Sequence, residues 1–215
     1  MRERKILVGM AVTATLSVFA GVAAAAEAPD PWQVLQGVRQ SLVDAGPTGA
    51  TFTQTYVPAG FSSGDTEAGR LALALPDCLR WDYQDPYPKG FLLCGGVAHS
   101  WNPQDKTGRR YRVDRKKEPG LDLLLLGVDD LKNRYRAASR AVEGEKVAVD
   151  LAPKTPGKGE ELTDASFLVD SASRRLVEVS YHDREGNLTR FIIKDYKGLP
   201  RQGQFSPPTG IRWED

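Results

Sequence analysis

Apolar and polar positions change period along this chain, and each change predicts an element. Trp32, Leu35, Val38 and Leu42 recur at helical spacing. Asp30 suits the cap and Pro31 the first turn, and Gly46-Pro47 ends the run, so the pattern predicts an amphipathic helix over 30–45. From Phe52 the period becomes two, as a half-buried strand requires. Phe52, Gln54 and Tyr56 alternate with Thr53 and Thr55. Further strands are predicted at 69–75, 79–83, 91–94, 97–101, 146–151, 167–170, 176–181 and 188–193, with a weaker one at 111–113. In the strand at 79–83, Leu79, Trp81 and Tyr83 share one face, and Arg80 and Asp82 the other. Gly95-Gly96 and the stretch 183–187 supply turn chemistry. The prolines at 207 and 208 exclude the extended stretch 205–211 from a central strand.

The run Leu121-Asp122-Leu123-Leu124-Leu125-Leu126 breaks this rhythm. Pro119-Gly120 leads in and Gly127 stops it, so it reads as a short, very apolar helix. Residues 128–134 add a helical turn. About ten short strands, one helix and this insert predict an α+β chain that is mainly β. Its centre is a single antiparallel sheet, curved or partly closed. The apolar inner face of such a sheet must be covered, and the helix at 30–45 and the insert are the available covers.

The first residues change the picture of where the chain works. Met1-Arg2-Glu3-Arg4-Lys5 is basic, an apolar run follows, and Ala23 to Ala26 form a small-residue exit. This is the layout of a secretory signal peptide over 1–26, leaving 27–215 as one exported domain. The apolar centre is too short and interrupted to span a bilayer, which needs about 20 apolar residues. In an oxidising compartment Cys78 and Cys94, near the outer ends of two strands, are expected to form a structural disulfide. No C-x-x-C redox motif is present.

Charge and chemistry mostly exclude. The chain has 29 basic and 28 acidic side chains, and without residues 1–26, which hold three and one, the balance turns slightly acidic. No basic excess points to a nucleic acid. The two histidines, His99 and His182, have no partners at metal-ligand spacing. There is no P-loop, G-x-G-x-x-G or G-x-S-x-G, so no cofactor or catalytic residue is expected. A secreted hydrolase would need a set such as His182 with Asp183 or Asp170, and neighbours in an extended chain point apart.

Several segments, taken in order, resemble the outer-membrane lipoprotein carrier (LolA) family. They are Phe52-Thr53-Gln54 after an amphipathic helix, then Gly69-x-Leu71 leading to Pro76. Leu79-Arg80-Trp81-Asp82-Tyr83 and Pro86 follow. After them come Gly95 with Trp101-Asn102-Pro103, Leu151-Ala152-Pro153-Lys154, and Phe205-x-Pro207-Pro208-x-Gly210-Ile211. The resemblance implies an incomplete antiparallel β-barrel with a helical lid, located in the periplasm. It implies an apolar cavity that takes lipoprotein acyl chains from an inner-membrane lipoprotein-releasing ABC transporter and delivers them to an outer-membrane acceptor. A shuttle of this kind is expected to act as a monomer and without an enzymatic step. Related half-barrels serve as sensors of mislocalised lipoproteins, with a second domain for which this chain has no room.

Alternation and the resemblance together nominate Leu71, Leu73, Leu79, Trp81 and Tyr83 as cavity residues, with Leu93, Phe167, Val169 and Phe191 joining them. Plain core packing is the competing reading for each. Leu121, Leu123, Leu124, Leu125 and Leu126 read equally as a lid or as a buried core element, and the resemblance selects the lid. The sequence departs from the family where an Arg often precedes the proline. Here Leu75 precedes Pro76, which implies a different latch for the lid or a different lipid cargo.

Overall fold

The computed structural model describes residues 28–113, 127–155, 162–200 and 203–214. Its first element, α1 (Pro31–Ala45), begins as the sequence prescribes. The Asp30 carboxylate accepts from the Gln33 amide at 2.8 Å, and Pro31 fills the first helical position. Leu35, Val38 and Leu42 are its buried stripe. Gly46, at φ +69°, turns the chain out of the helix.

Twelve strands follow among the described residues. In chain order they are β1 (Thr48–Val57), β2 (Asp65–Ala74), β3 (Cys78–Asp85), β4 (Lys89–Cys94), β5 (Val97–Asn102) and β6 (Thr107–Arg112). After α2 (Val128–Arg134) come β7 (Tyr135–Val142), β8 (Lys146–Pro153), β9 (Leu162–Asp170), β10 (Arg175–Asp183), β11 (Leu188–Gly198) and β12 (Arg212–Glu214). They form one open, curved sheet in the order β12-β6-β5-β4-β3-β2-β1-β11-β10-β9-β8-β7. Two meanders, β2 to β6 and β7 to β11, are thus joined where β1 pairs with β2 on one side and β11 on the other.

Turn chemistry sets the registers. Gly95 and Gly96, at φ +57° and +79°, make the tight turn between β4 and β5 that side-chain-bearing residues rarely allow. Between β10 and β11 the Asp183 carboxylate takes both the backbone amide and the side-chain amide of Asn187, each at 2.8 Å. Gly186 there sits at φ +84°.

The structure corrects the sequence-based expectations in three places. Among the described residues the strands number twelve rather than about ten, the additions being β7 and β12. The pairing is not wholly antiparallel, because β12 runs parallel to β6. The stretch before β12 is not extended but bends and turns across the outer face of the sheet. There Arg80 donates to the carbonyls of Gln204 and Ser206 at 3.3 and 3.2 Å, and pairs with Asp82 at 2.7 Å. Leu92 and Trp101, on the same outer face, are buried.

Cys78 and Cys94 face each other directly in the β3–β4 register and are joined in a disulfide, with Cα atoms 4.3 Å apart. None of the described helices is long and apolar enough to cross a membrane.

Candidate functional site

The inner face of the sheet is laid out in levels by strand register. At the first level Leu79 stands between Leu73 of β2 and Leu93 of β4. At the second Trp81 stands between Leu71 and Phe91, and at the third Tyr83 stands between Gly69 and Lys89. Leu79 is wholly buried, and Leu71 and Leu73 nearly so. Period two produces this directly: each strand contributes every second residue to the same face.

α1 lies over the first level, packing against β2, β7, β8, β10 and α2. Beneath it is an apolar cavity of about 50 Å³. Leu35, Val38 and Leu42 of the helix form one wall, Leu73, Phe167 and Ile193 of the sheet another, and Val128 and Leu131 of α2 close it. A second cavity of about 20 Å³ lies at the next level, between Phe52, Leu71, Trp81, Val179, Phe191 and Ile193. Ile193 belongs to both walls. Both are small, mainly apolar gaps between the cover and the sheet, already formed in the empty protein.

Outside the cover an open groove of about 990 Å³ runs along the first half of α1. Trp32, Val147 and Val169 line it together with Gln33, Lys132 and Arg174.

The third level is aromatic and then polar. Tyr83 meets Phe52 edge-on with ring centroids 4.9 Å apart. Gly69 makes this possible, since it lies between the two residues in the sheet and carries no side chain. A Cβ there would stand 2.2 Å from the Asp82 carbonyl oxygen and 2.9 Å from the Tyr83 Cα. The Tyr83 hydroxyl donates to the side-chain carbonyl of Gln54. Lys89 bonds both Glu67 oxygens, at 2.7 and 2.8 Å, and its ammonium lies 4.5 Å from the Tyr83 ring centroid. Burial pushes the Tyr83 phenol up, helped by the negative charge of Glu67. Burial also pushes Tyr181 up, against a hydrogen bond with Thr189 that pulls it down.

The nominated residues therefore fall into groups. Leu73 and Phe167 line the larger cavity, and Leu71, Trp81 and Phe191 the smaller one. Leu79, Tyr83 and Leu93 belong to the surrounding apolar core, and Val169 also borders the open groove. Leu121, Leu123, Leu124, Leu125 and Leu126 lie outside the described residues. Leu35, Val38, Leu42, Phe52, Val179 and Ile193 also wall the cavities, beyond the residues that alternation and the family resemblance nominate. The helical stripe marks α1 as a cover for the sheet but does not single out its residues as cavity walls. Phe52 shares its face with Gln54, and that pairing was the available signal for both. Leu75 lines the larger cavity under α1, alongside Arg39 of the helix.

His182, Asp183 and Asp170 do not bond to one another. His182 pairs with Asp164 at 2.9 Å on the outer face rather than with Asp183 or Asp170. Asp183 holds Asn187, and Asp170 holds Ser173 at 2.6 Å. Among the described residues no group of three or more His, Cys, Asp or Glu side chains could hold a metal ion.

Residues 47–207 match the family described as outer membrane lipoprotein carrier protein LolA. The outer-membrane lipoprotein carrier protein of Chromobacterium violaceum is 25% identical over 201 residues, covering 91% of this chain and 92% of its own length. That of Shewanella frigidimarina is 24% identical over 194 residues, covering 90% and 85%. An uncharacterized conserved protein from Thermus thermophilus shares the fold, with a TM-score of 0.55 at 11% identity over 85% of this chain and 96% of that one.

Proposed function

Because the chain belongs to the outer membrane lipoprotein carrier (LolA) family, we propose that it is a periplasmic carrier that shelters lipoprotein acyl chains between α1 and the inner face of the sheet. The observation that carries this reading is the pair of apolar cavities that share Ile193, the larger of them beneath α1 and walled by its Leu35, Val38 and Leu42. In the closed state those cavities are too small for an acyl chain, so loading displaces the helix.

The magnitudes make that displacement reversible. Leu35, Val38 and Leu42 together give up about 5–9 kcal/mol when exposed, at roughly 1.5–3 kcal/mol each. A chain of about fifteen methylenes regains about 12 kcal/mol at ~0.8 kcal/mol per CH₂. One acyl chain therefore offsets opening with a few kcal/mol to spare. Binding stays loose enough for handover, and the empty protein recloses. Leu75 gives this cover an apolar contact where related chains often have an Arg, so closure rests on packing rather than on a guanidinium latch.

The donor in this scheme is an inner-membrane lipoprotein-releasing ABC transporter, and the recipient an outer-membrane acceptor. The role is that of a monomeric carrier with no chemical step, exported through a signal peptide over 1–26 that is removed to leave the domain 27–215. Native mass spectrometry of the mature protein isolated from a periplasm tests it. Co-purified lipoprotein, lost on Trp81→Asp, is the expected result. Free phospholipid in its place would change the cargo. A lipid-free protein that also refuses a lipoprotein offered in detergent would overturn the carrier role.

A further inference from the structure

We infer that the acyl chain lies tail-first toward α1, with its carbonyl stopped at a polar rung made by Gln54 and Tyr83. This rests on the carrier reading and adds an orientation and a selectivity to it. The inner face is graded along the strands. At the α1 end it is hydrocarbon, with Leu42, Leu73 and Ile193 around the larger cavity. The next two levels are aromatic, with Trp81 and then Phe52 and Tyr83, and at the fourth Gln54, opposite Glu67, takes the place that Phe52 and Ala50 hold deeper in the same strand.

Gln54 is half-buried at the edge of the aromatic layer, and once a cargo chain covers it each of its polar groups needs a hydrogen-bond partner. The Tyr83 hydroxyl satisfies the Gln54 carbonyl oxygen. The two amide N–H donors of Gln54 remain for an acceptor. An acyl chain carries one acceptor, at one end: the carbonyl of its ester or amide. A hydrocarbon tail carries none.

The spacing agrees. From Gln54 back to Thr48, which pairs with Leu73 at the level beneath α1, is six residues, about 20 Å of strand at ~3.3 Å per residue. That is room for a long acyl chain laid along β1. The opposite orientation would place the carbonyl among leucines and the terminal methyl beside the Lys89–Glu67 ion pair. Both placements are unfavourable, the first because it leaves a buried acceptor unpaired.

The test compares two probes of equal length, methyl palmitate, whose one carbonyl is that of the acyl chain, and its alkyl ether analogue without that carbonyl. Both are titrated against the mature wild-type protein, Gln54→Met and Tyr83→Phe. One added hydrogen bond predicts a five- to tenfold preference for the acyl probe, roughly, in the wild type, falling to about one in Gln54→Met. Tyr83→Phe, which frees the Gln54 carbonyl but spares its donors, should keep part of the preference. A nitroxide at the far end of the acyl probe should broaden the NMR methyl signals of Leu42 and Leu73 more than one near the carbonyl does. A wild type without preference, a preference that survives Gln54→Met, or the reverse broadening order overturns the orientation. A wild type that takes up neither probe overturns the carrier reading as well.

Discussion

The guanidinium of Arg80 lies 5.1 Å from the centroid of the Trp101 ring while it bonds the carbonyls of Gln204 and Ser206. One side chain thus ties the outer face of β3 to β5 and to the segment that leads into β12. The alternation that places Trp81 inside places Arg80 here. Arg80→Met keeps the aliphatic stem and removes the donors and the Asp82 ion pair. It should cost about 1–3 kcal/mol in urea unfolding. Backbone amides near residues 203–206 should exchange faster with solvent. Unchanged exchange would mean that the segment is held by other contacts.

Gly69→Ala tests the close approach of β2 and β3. The added Cβ would stand 2.2 Å from a backbone oxygen, which no rotamer can relieve. The strands must part, at about 1–3 kcal/mol or more. The Phe52–Tyr83 edge contact should loosen with them, seen as a changed tyrosine near-UV circular dichroism signal. Wild-type stability in this variant would contradict the geometry.

Leu42→Ala acts on the cover alone. The side chain is buried and walls the larger cavity. Its loss should lower stability by about 2–5 kcal/mol. The remaining helix contacts are then weaker, so uptake of a fluorescent acyl probe by the folded variant should be faster than in the wild type. Slower or unchanged uptake would separate α1 from loading.

His99 gives the chain a pH dependence on its outer face. Burial first, and the nearby Arg110 second, hold its imidazole below the ordinary value, and its Nδ1 is buried with no partner. The ring meets Trp213 of β12 edge-on at 5.2 Å. A depressed pKa means that the fold favours the neutral ring. The contribution to stability is therefore complete above about pH 6.5 and is lost as pH falls below it toward the folded-state value. His99→Leu should flatten the melting temperature over that interval relative to wild type. Parallel curves would show that His99 is not responsible.

Much of this architecture was legible because local chemistry and tertiary context agree. Asp30, Pro31 and Gly46 bound α1 by capping rules, and the structure follows them. Strands with one dry face, such as β3, announce themselves by alternation. β7 does not: Tyr-Arg-Ala-Ala-Ser-Arg-Ala-Val has little alternation and few large apolar residues. It is an edge strand, paired only with β8, and Tyr135 alone is buried in it, so the pattern is not imposed. β12 is three residues long and depends on Trp213 lying over Gly108, a contact made across more than a hundred residues. The cavity was harder still. Burial alone does not distinguish Leu79, which is pure core, from Leu73, which borders a void. That difference depends on how α1 seats, and period-two alternation carries no information about it.

The position of β1 between β2 and β11 has a consequence in time. Thr51 bonds Lys194 and Asp195 across 143 and 144 residues of chain. A chain delivered from its N-terminus can zip β1 to β6 as local hairpins. One edge of β1 nevertheless stays bare until β11 has emerged. Completion of the sheet is then a late event, slow by virtue of its long loop closure. Until it happens, the row of unpaired amides and carbonyls on β1 can recruit a strand from another molecule. The carrier is thus most exposed to aggregation in the interval before its own second half arrives.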